Sequence, residues 1–171
     1  MPFDIAPKAG DWEVIAEVEV EADCDYVEFT GLDINSDRAY VIFMTVKNPQ
    51  SSDAVISMYI NGDTTDTNYY HEHITASGTS VNANRPNDAG ITKIYAGVTN
   101  MVAVLIMRDT NGYVHASILA TRGAPSSIEL FVSSWVKATT ETNVNTIRLQ
   151  SSIAGGIGAG SKFILARVKR P

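Results

Sequence analysis

From Trp12 to Ala22, apolar and acidic residues alternate almost without a break. Trp12, Val14, Ala16, Val18, Val20 and Ala22 share one parity. Asp11, Glu13, Glu17, Glu19 and Glu21 share the other, with Ile15 the one exception. A period of two sends successive side chains to opposite faces of a strand, whereas the same residues on a helix would scatter around its axis. The segment therefore predicts a long strand with one face in a core and an acidic face in water, and it puts Trp12 on the core side. The carboxylate row also discourages edge-to-edge pairing.

Further strands are expected at short intervals, over residues 26–32, 39–46, 54–60, 68–75, 91–96, 101–108, 113–121, 128–136, 144–149 and 162–168. Residues 39–46 (AYVIFMTV) are nearly all apolar and predict a central strand buried on both faces. Pro49 stops it. Asn61-Gly62 and Asn111-Gly112 are pairs that accept positive φ and mark tight turns. No window has helical amphipathicity. Regularly spaced strands without intervening helices predict an all-β fold, an antiparallel two-sheet sandwich, jelly-roll-like, with about ten strands. Residues 77–88 and 138–143 read as long loops. Residues 1–10, with Pro2, Pro7 and Gly10, read as an extended N-terminal arm leading into a single domain over 11–171.

A chain of 171 residues is long enough to bury a core without disulfides. Its net charge of −6 lacks the basic surface that phosphate backbones require, so nucleic acid is not an expected partner. The longest apolar run, residues 101–107, is too short to span a bilayer, and no membrane partner is expected. The single cysteine, Cys24, excludes an intrachain disulfide. The start lacks a charged segment followed by an apolar one, so no signal peptide is expected and synthesis belongs in a reducing cytoplasm.

Residues 155–162 (GGIGAGSK) come nearest to a phosphate loop, but Gly160-Ser161-Lys162 reverses the required Gly-Lys-Ser/Thr order and a strand, not a helix, follows. His71 and His73 share one face of a strand and, with Asp63 or Asp66 from the preceding turn, form a candidate transition-metal set. The alternative is a polar strand end facing solvent. The oxygen-rich run Asn61 to Asn68 is calcium-like in composition but lacks the closing Glu of an EF-hand, and an Asx-rich turn is the competing reading. Tyr69, Tyr70 and Tyr113, beside the same loop, are a candidate sugar-stacking platform, with one of Tyr69 and Tyr70 facing the core. Trp135 belongs to an apolar strand face, and His115 reads as structural. Glu17, Glu19 and Glu21 lie on a solvated face rather than across a cleft. There is no G-x-S-x-G elbow, and Asp23 and Asp25 beside Cys24 raise a thiol pKa rather than activate it. No catalytic residues and no cofactor are expected.

Two stretches together resemble a group of tailed-phage virion proteins. Tyr59-Ile60-Asn61-Gly62-Asp63 followed by Asn68-Tyr69-Tyr70 is similar to one shared segment. The closing segment of that group has a strand, a glycine-rich turn and a last strand of the form GS-x-F-x-L-Y. Here VNTIRL (144–149) precedes GGIGAGSKFILARV (155–168), and Gly160-Ser161-Lys162-Phe163-Ile164-Leu165 matches, with Ala166 in place of the tyrosine. Trp12 near the start also fits. The resemblance covers about a quarter of the chain. It implies a β-sandwich tail, head-fibre or decoration component located on a virion. Such a component works as a homo-oligomer, with a trimer favoured over a dimer, in contact with other virion proteins. It carries over no catalytic residues. A carbohydrate-binding or receptor-binding lectin-like domain is the alternative, with a glycan as partner. Under the assembly reading, the monomer exposes apolar patches.

Overall fold

The computed structural model describes residues 12–124 and 127–169; the expected arm over 1–10 lies outside them. Twelve strands run in chain order: β1 Trp12–Glu19, β2 Tyr26–Phe29, β3 Asp37–Lys47, β4 Ala54–Ile60, β5 Tyr69–Ser77, β6 Ser80–Asn84, β7 Gly90–Ile94, β8 Thr99–Arg108, β9 Val114–Ala124, β10 Ser127–Lys137, β11 Ile147–Ser151 and β12 Lys162–Lys169. They form two antiparallel sheets, as expected of an all-β sandwich. The split is uneven. One sheet has eight strands in the order β1-β12-β3-β8-β9-β10-β5-β6, and the other has four in the order β2-β11-β4-β7.

The inner faces interdigitate. Tyr40, Ile42 and Met44 of β3, Val104 and Ile106 of β8, Phe131 and Trp135 of β10 and Phe163 and Leu165 of β12 meet Ile56, Met58 and Ile60 of β4, Ile91 and Ile94 of β7 and Ile147 and Leu149 of β11. The chain passes repeatedly between sheets, so the Asn61-Gly62 turn (φ 55° and 74°) leads β4 out of the small sheet rather than closing a hairpin. Asn111-Gly112 does close the β8–β9 hairpin, with Gly112 at φ 96°.

Four expectations change. Residues 77–88 are not one long loop, because Ser80–Asn84 pairs with β5 as an exposed edge strand. Trp12 is not in the core: it is 53% exposed, and Val14 60%. The register of β1 against β12 shifts between Val14 and Ala16, a bulge at Ile15 that reverses the faces. Only after it do Ala16 and Val18 pack inward. Strand β3 is central, but Phe43 on its outer face is 50% exposed. The strand expected over 144–149 begins only at Ile147, although Val144 is fully buried.

The glycine-rich turn before β12 is a packing device. A Cβ on Gly156 would collide with Ser151 Oγ and sit 2.9 Å from Ile153 Cγ1. Gly156→Ala is expected to lower stability by about 1–3 kcal/mol through overpacking, read as a lower urea midpoint with unchanged slope.

Candidate functional site

The mismatch in sheet width creates a cleft. β7, the edge of the small sheet, packs over β8–β10, and β5 and β6 extend beyond it. Between them lies a cleft of about 420 Å³, within the range of small-molecule sites. One wall is the inner face of the large sheet, with His71, His73, Thr75, Asn82, Arg122, Glu129 and Phe131. The other is β7 and its flanks, with Asp88, Thr92, Lys93 and Tyr95.

Strand parity and register bring these groups together. Arg122 follows Ile118 and Ala120 on the inward parity of β9 and stands directly opposite Glu129 of β10. Its side chain is only 5% exposed. Nη2 lies 3.6 Å from Glu129 Oε2 and donates to Thr75 Oγ1 at 3.2 Å. The guanidinium packs over the Phe131 ring, 4.5 Å from its centroid. Nε is buried and has no partner among the described residues. Tyr95 donates its hydroxyl to Glu129 Oε2 at 2.7 Å, and burial together with that carboxylate raises the phenol pKa. Lys93 is paired with Asp53 at 2.7 Å and lies over the Tyr95 ring.

His71 and His73 share the inner face, as their spacing predicts, and His71 is buried rather than solvent-facing. The carboxylate beside them is Asp88, not Asp63 or Asp66. Asp88 Oδ1 lies 3.1 Å from His71 Nδ1, and His71 Nε2 lies 3.0 Å from His73 Nδ1. With His71 donating to Asp88, its Nε2 accepts from His73 Nδ1–H, and His73 Nε2 is left as an acceptor. Burial first, and then His71 and Arg122, hold the His73 pKa below the ordinary value of 6.5, against the opposing pull of Asp88. The folded chain therefore resists protonating His73. Above pH 6.5 neither folded nor unfolded His73 carries the proton. Below it the unfolded chain binds a proton first, so stability falls as pH drops toward the lowered folded value. Denaturation at neutral pH and at about pH 5 is expected to show a larger loss for the natural chain than for His73→Gln.

Asp63 is committed elsewhere. At the opposite end of β10, the Lys137 ammonium lies 3.0 Å from Asp63 Oδ2 and also pairs with Glu141. Asp63 accepts in addition from Asn68. The Asp63 carboxylate of the oxygen-rich loop is thus already paired with a cation supplied by the protein. Among the described residues, no three His, Cys, Asp or Glu side chains converge as metal ligands.

The expected tyrosine platform is not assembled. Tyr69 is fully buried, stacked on Trp135 with centroids 5.1 Å apart, and its hydroxyl donates to the Asp63 carbonyl at 2.6 Å. Tyr70 points to the outer face of the large sheet, 39% exposed, away from the cleft. Tyr113, 37% exposed, precedes β9 in the β8–β9 turn. His115 is half-exposed on the outer face, 3.4 Å from Asp109.

The glycine turn has no amide left for a phosphate. Gly155 N–H donates to Asp25 and Ala159 N–H to Asp23, at 2.7 and 2.9 Å. Gly156, Ile157, Gly158, Gly160 and Ser161 donate to backbone carbonyls. Ser161 Oγ accepts from Lys47 N–H at 3.0 Å and ties the turn to β3. Burial first, and then the charges of Asp25 and Asp23, raise the Cys24 thiol pKa against a backbone hydrogen bond from Tyr26.

No family model matches this sequence, and no curated protein matches it. Among solved structures, the chain is similar to the Ruminococcus gnavus IT-sialidase CBM40. The TM-score is 0.38 at 12% identity, covering 91% of this chain and 94% of that one. It is also similar to a protein of unknown function from Shewanella oneidensis MR-1. There the TM-score is 0.33 at 12% identity, covering 95% of this chain and 78% of that one. Likenesses at these scores carry no functional argument.

Proposed function

We propose that the chain is a non-enzymatic virion structural subunit, of capsid-decoration, head-fibre or tail-fibre type, that assembles with copies of itself and with other virion proteins. The observation that supports this is the outer face of the eight-stranded sheet. An antiparallel sheet with one face in water alternates apolar-in and polar-out. Here one register row reads Ile164, Phe43, Ala103, Leu119, Val132, Ile74 and Ala83 across seven adjacent strands. At the usual strand spacing that row is about 29 Å long. The next row adds Met101, Leu130 and Val81, which are 67%, 48% and 70% exposed. A contiguous apolar patch of this kind marks an interaction surface.

We favour a trimer as the closed form, in which three such sheets face a common axis and each face is covered by two neighbours. Light scattering across a concentration series is expected to give a closed multiple of the 18.5 kDa chain. A concentration-independent monomer would remove the reading. Capsid and tail genes are the expected genomic neighbours.

A second reading, a carbohydrate-binding domain, is favoured by the cleft. It has the volume of a ligand site, and its walls offer both donors and acceptors.

A further inference from the structure

We propose that the cleft between β7 and the inner face of β5, β9 and β10 binds a neutral sugar residue, with Arg122 and Glu129 serving as reciprocal donor and acceptor for adjacent hydroxyls. This deepens the carbohydrate-binding reading and rests on it; it is independent of the assembly reading.

The guanidinium has donors to spare. Nη2 makes both of its contacts to protein oxygens, and among the described residues none is made by Nε or Nη1. A buried, partly unsatisfied guanidinium in a native fold calls for an explanation, and a ligand oxygen is one. Glu129 has the converse surplus. Its Oε2 receives Tyr95 and faces Arg122, while among the described residues no donor reaches Oε1. His73 Nε2 is a second acceptor, and the Asn82 amide on β6 supplies both functions. A hydroxyl both donates and accepts, so vicinal hydroxyls suit a wall on which a fixed donor and a fixed acceptor stand on paired strands.

The charges select for neutrality. Arg122 faces Glu129, Lys93 is paired with Asp53, and Asp88 contributes a further negative charge beside His71. Among the described lining residues no surplus positive charge remains for a carboxylate or phosphate, and an acidic ligand would meet Glu129 and Asp88. Pro86, Val55 and the Tyr95 ring supply the apolar strip that a pyranose C–H face requires. The site is rigid on the sheet side, because Arg122 is packed over Phe131 and His73 lies against the same ring, with centroids 4.9 Å apart.

The test is an amide-resolved NMR titration with the methyl glycosides of glucose, galactose, mannose and N-acetylglucosamine, and in parallel with glucuronic acid and N-acetylneuraminic acid. A neutral glycoside is expected to shift the amides of Thr75, Asn82 and Thr92 to Tyr95. Glu129→Gln and Arg122→Lys are each expected to weaken binding roughly tenfold or more, since each removes a charge-assisted hydrogen bond. Asn82→Ala, on an exposed edge strand, is expected to weaken it with an unchanged melt, which keeps the result readable if a buried variant misfolds. Binding by the acids alone would overturn the neutral assignment. Neutral binding that shifts other amides and ignores all three variants would overturn the cleft but keep the carbohydrate reading. Silence toward every sugar by folded protein would overturn both.

Discussion

Lys137→Met is expected to lower the free energy of unfolding by about 3–5 kcal/mol, the range for breaking a buried ion pair by removing one partner. That is a large share of the roughly 5–15 kcal/mol that a domain has, and in a chain of this size it corresponds to a fall in Tm of about 10 °C. The Lys137 side chain is 4% exposed and lies near two carboxylates, Asp63 and Glu141. It also donates to Thr139 Oγ1 at 2.7 Å. Burial opposes its charge, but the hydrogen bonds to Glu141 and Asp63 outweigh burial and raise its pKa. Without the ammonium, two half-buried anions face each other beside the Tyr69 ring. The damage spreads, because Glu141 also accepts from Asn61, whose side chain in turn holds Asn143 and Asn145. Burial raises the Asp63 pKa, but Lys137 and Asn68 outweigh it and leave the group below its ordinary 3.8. A depressed carboxylate stabilises the fold above its unfolded value and loses that contribution as pH falls through the folded one. The gap between natural chain and Lys137→Met is therefore expected to narrow below about pH 4. Asp63→Asn combined with Lys137→Met should recover part of the loss in a double-mutant cycle, and full additivity would mean that the pair is not coupled.

The strands were legible because alternation and turn residues are local signals. What escaped depends on partners distant in sequence. Ser80–Asn84 is wholly exposed, and its alternation spans only five residues, two of them Asn, too little to announce a strand; pairing with β5 makes it one. The break at Ile15 was visible, but a single apolar residue among glutamates does not reveal that the strand bulges there and turns Trp12 outward. A nearly all-apolar run such as AYVIFMTV cannot distinguish a face covered by a second sheet from one left exposed, as Phe43 is. Of the cleft, His71 and His73 were readable from their spacing. Arg122, Glu129, Asp88 and Tyr95 come from other segments and meet only through register. The one local hint was a cation on the inward parity of β9, after Ile118 and Ala120. Likewise, the oxygen-rich loop from Asn61 to Asn68 gave no sign that its cation would be a lysine from β10.

Leu119→Lys combined with Val132→Glu is expected to convert the proposed assembly to monomers while leaving the fold intact. The two residues are direct cross-strand partners at the middle of the apolar row, 53% and 46% exposed. In the monomer the new charges lie opposite one another in water, an arrangement that adds no like-charge repulsion, and surface substitutions of this kind change stability by only about 0.5 kcal/mol. At an interface the same pair must be stripped of water, and two apolar contacts at its centre are lost. Covering a half-exposed Leu or Val contributes about 1 kcal/mol, and stripping water from two new charges costs several kcal/mol more, so the pair weakens association on the order of a thousandfold. Tyr26→Ser is the control. Tyr26 is 48% exposed, but it lies on the small sheet, with Arg148 over its ring. Its loss should leave the mass measured by light scattering unchanged. If the double variant kept its assembled mass, the outer face would not be the contact surface. If both variants became monomeric, assembly would need both sheets, and a ring of back-to-front contacts would replace faces meeting about a common axis.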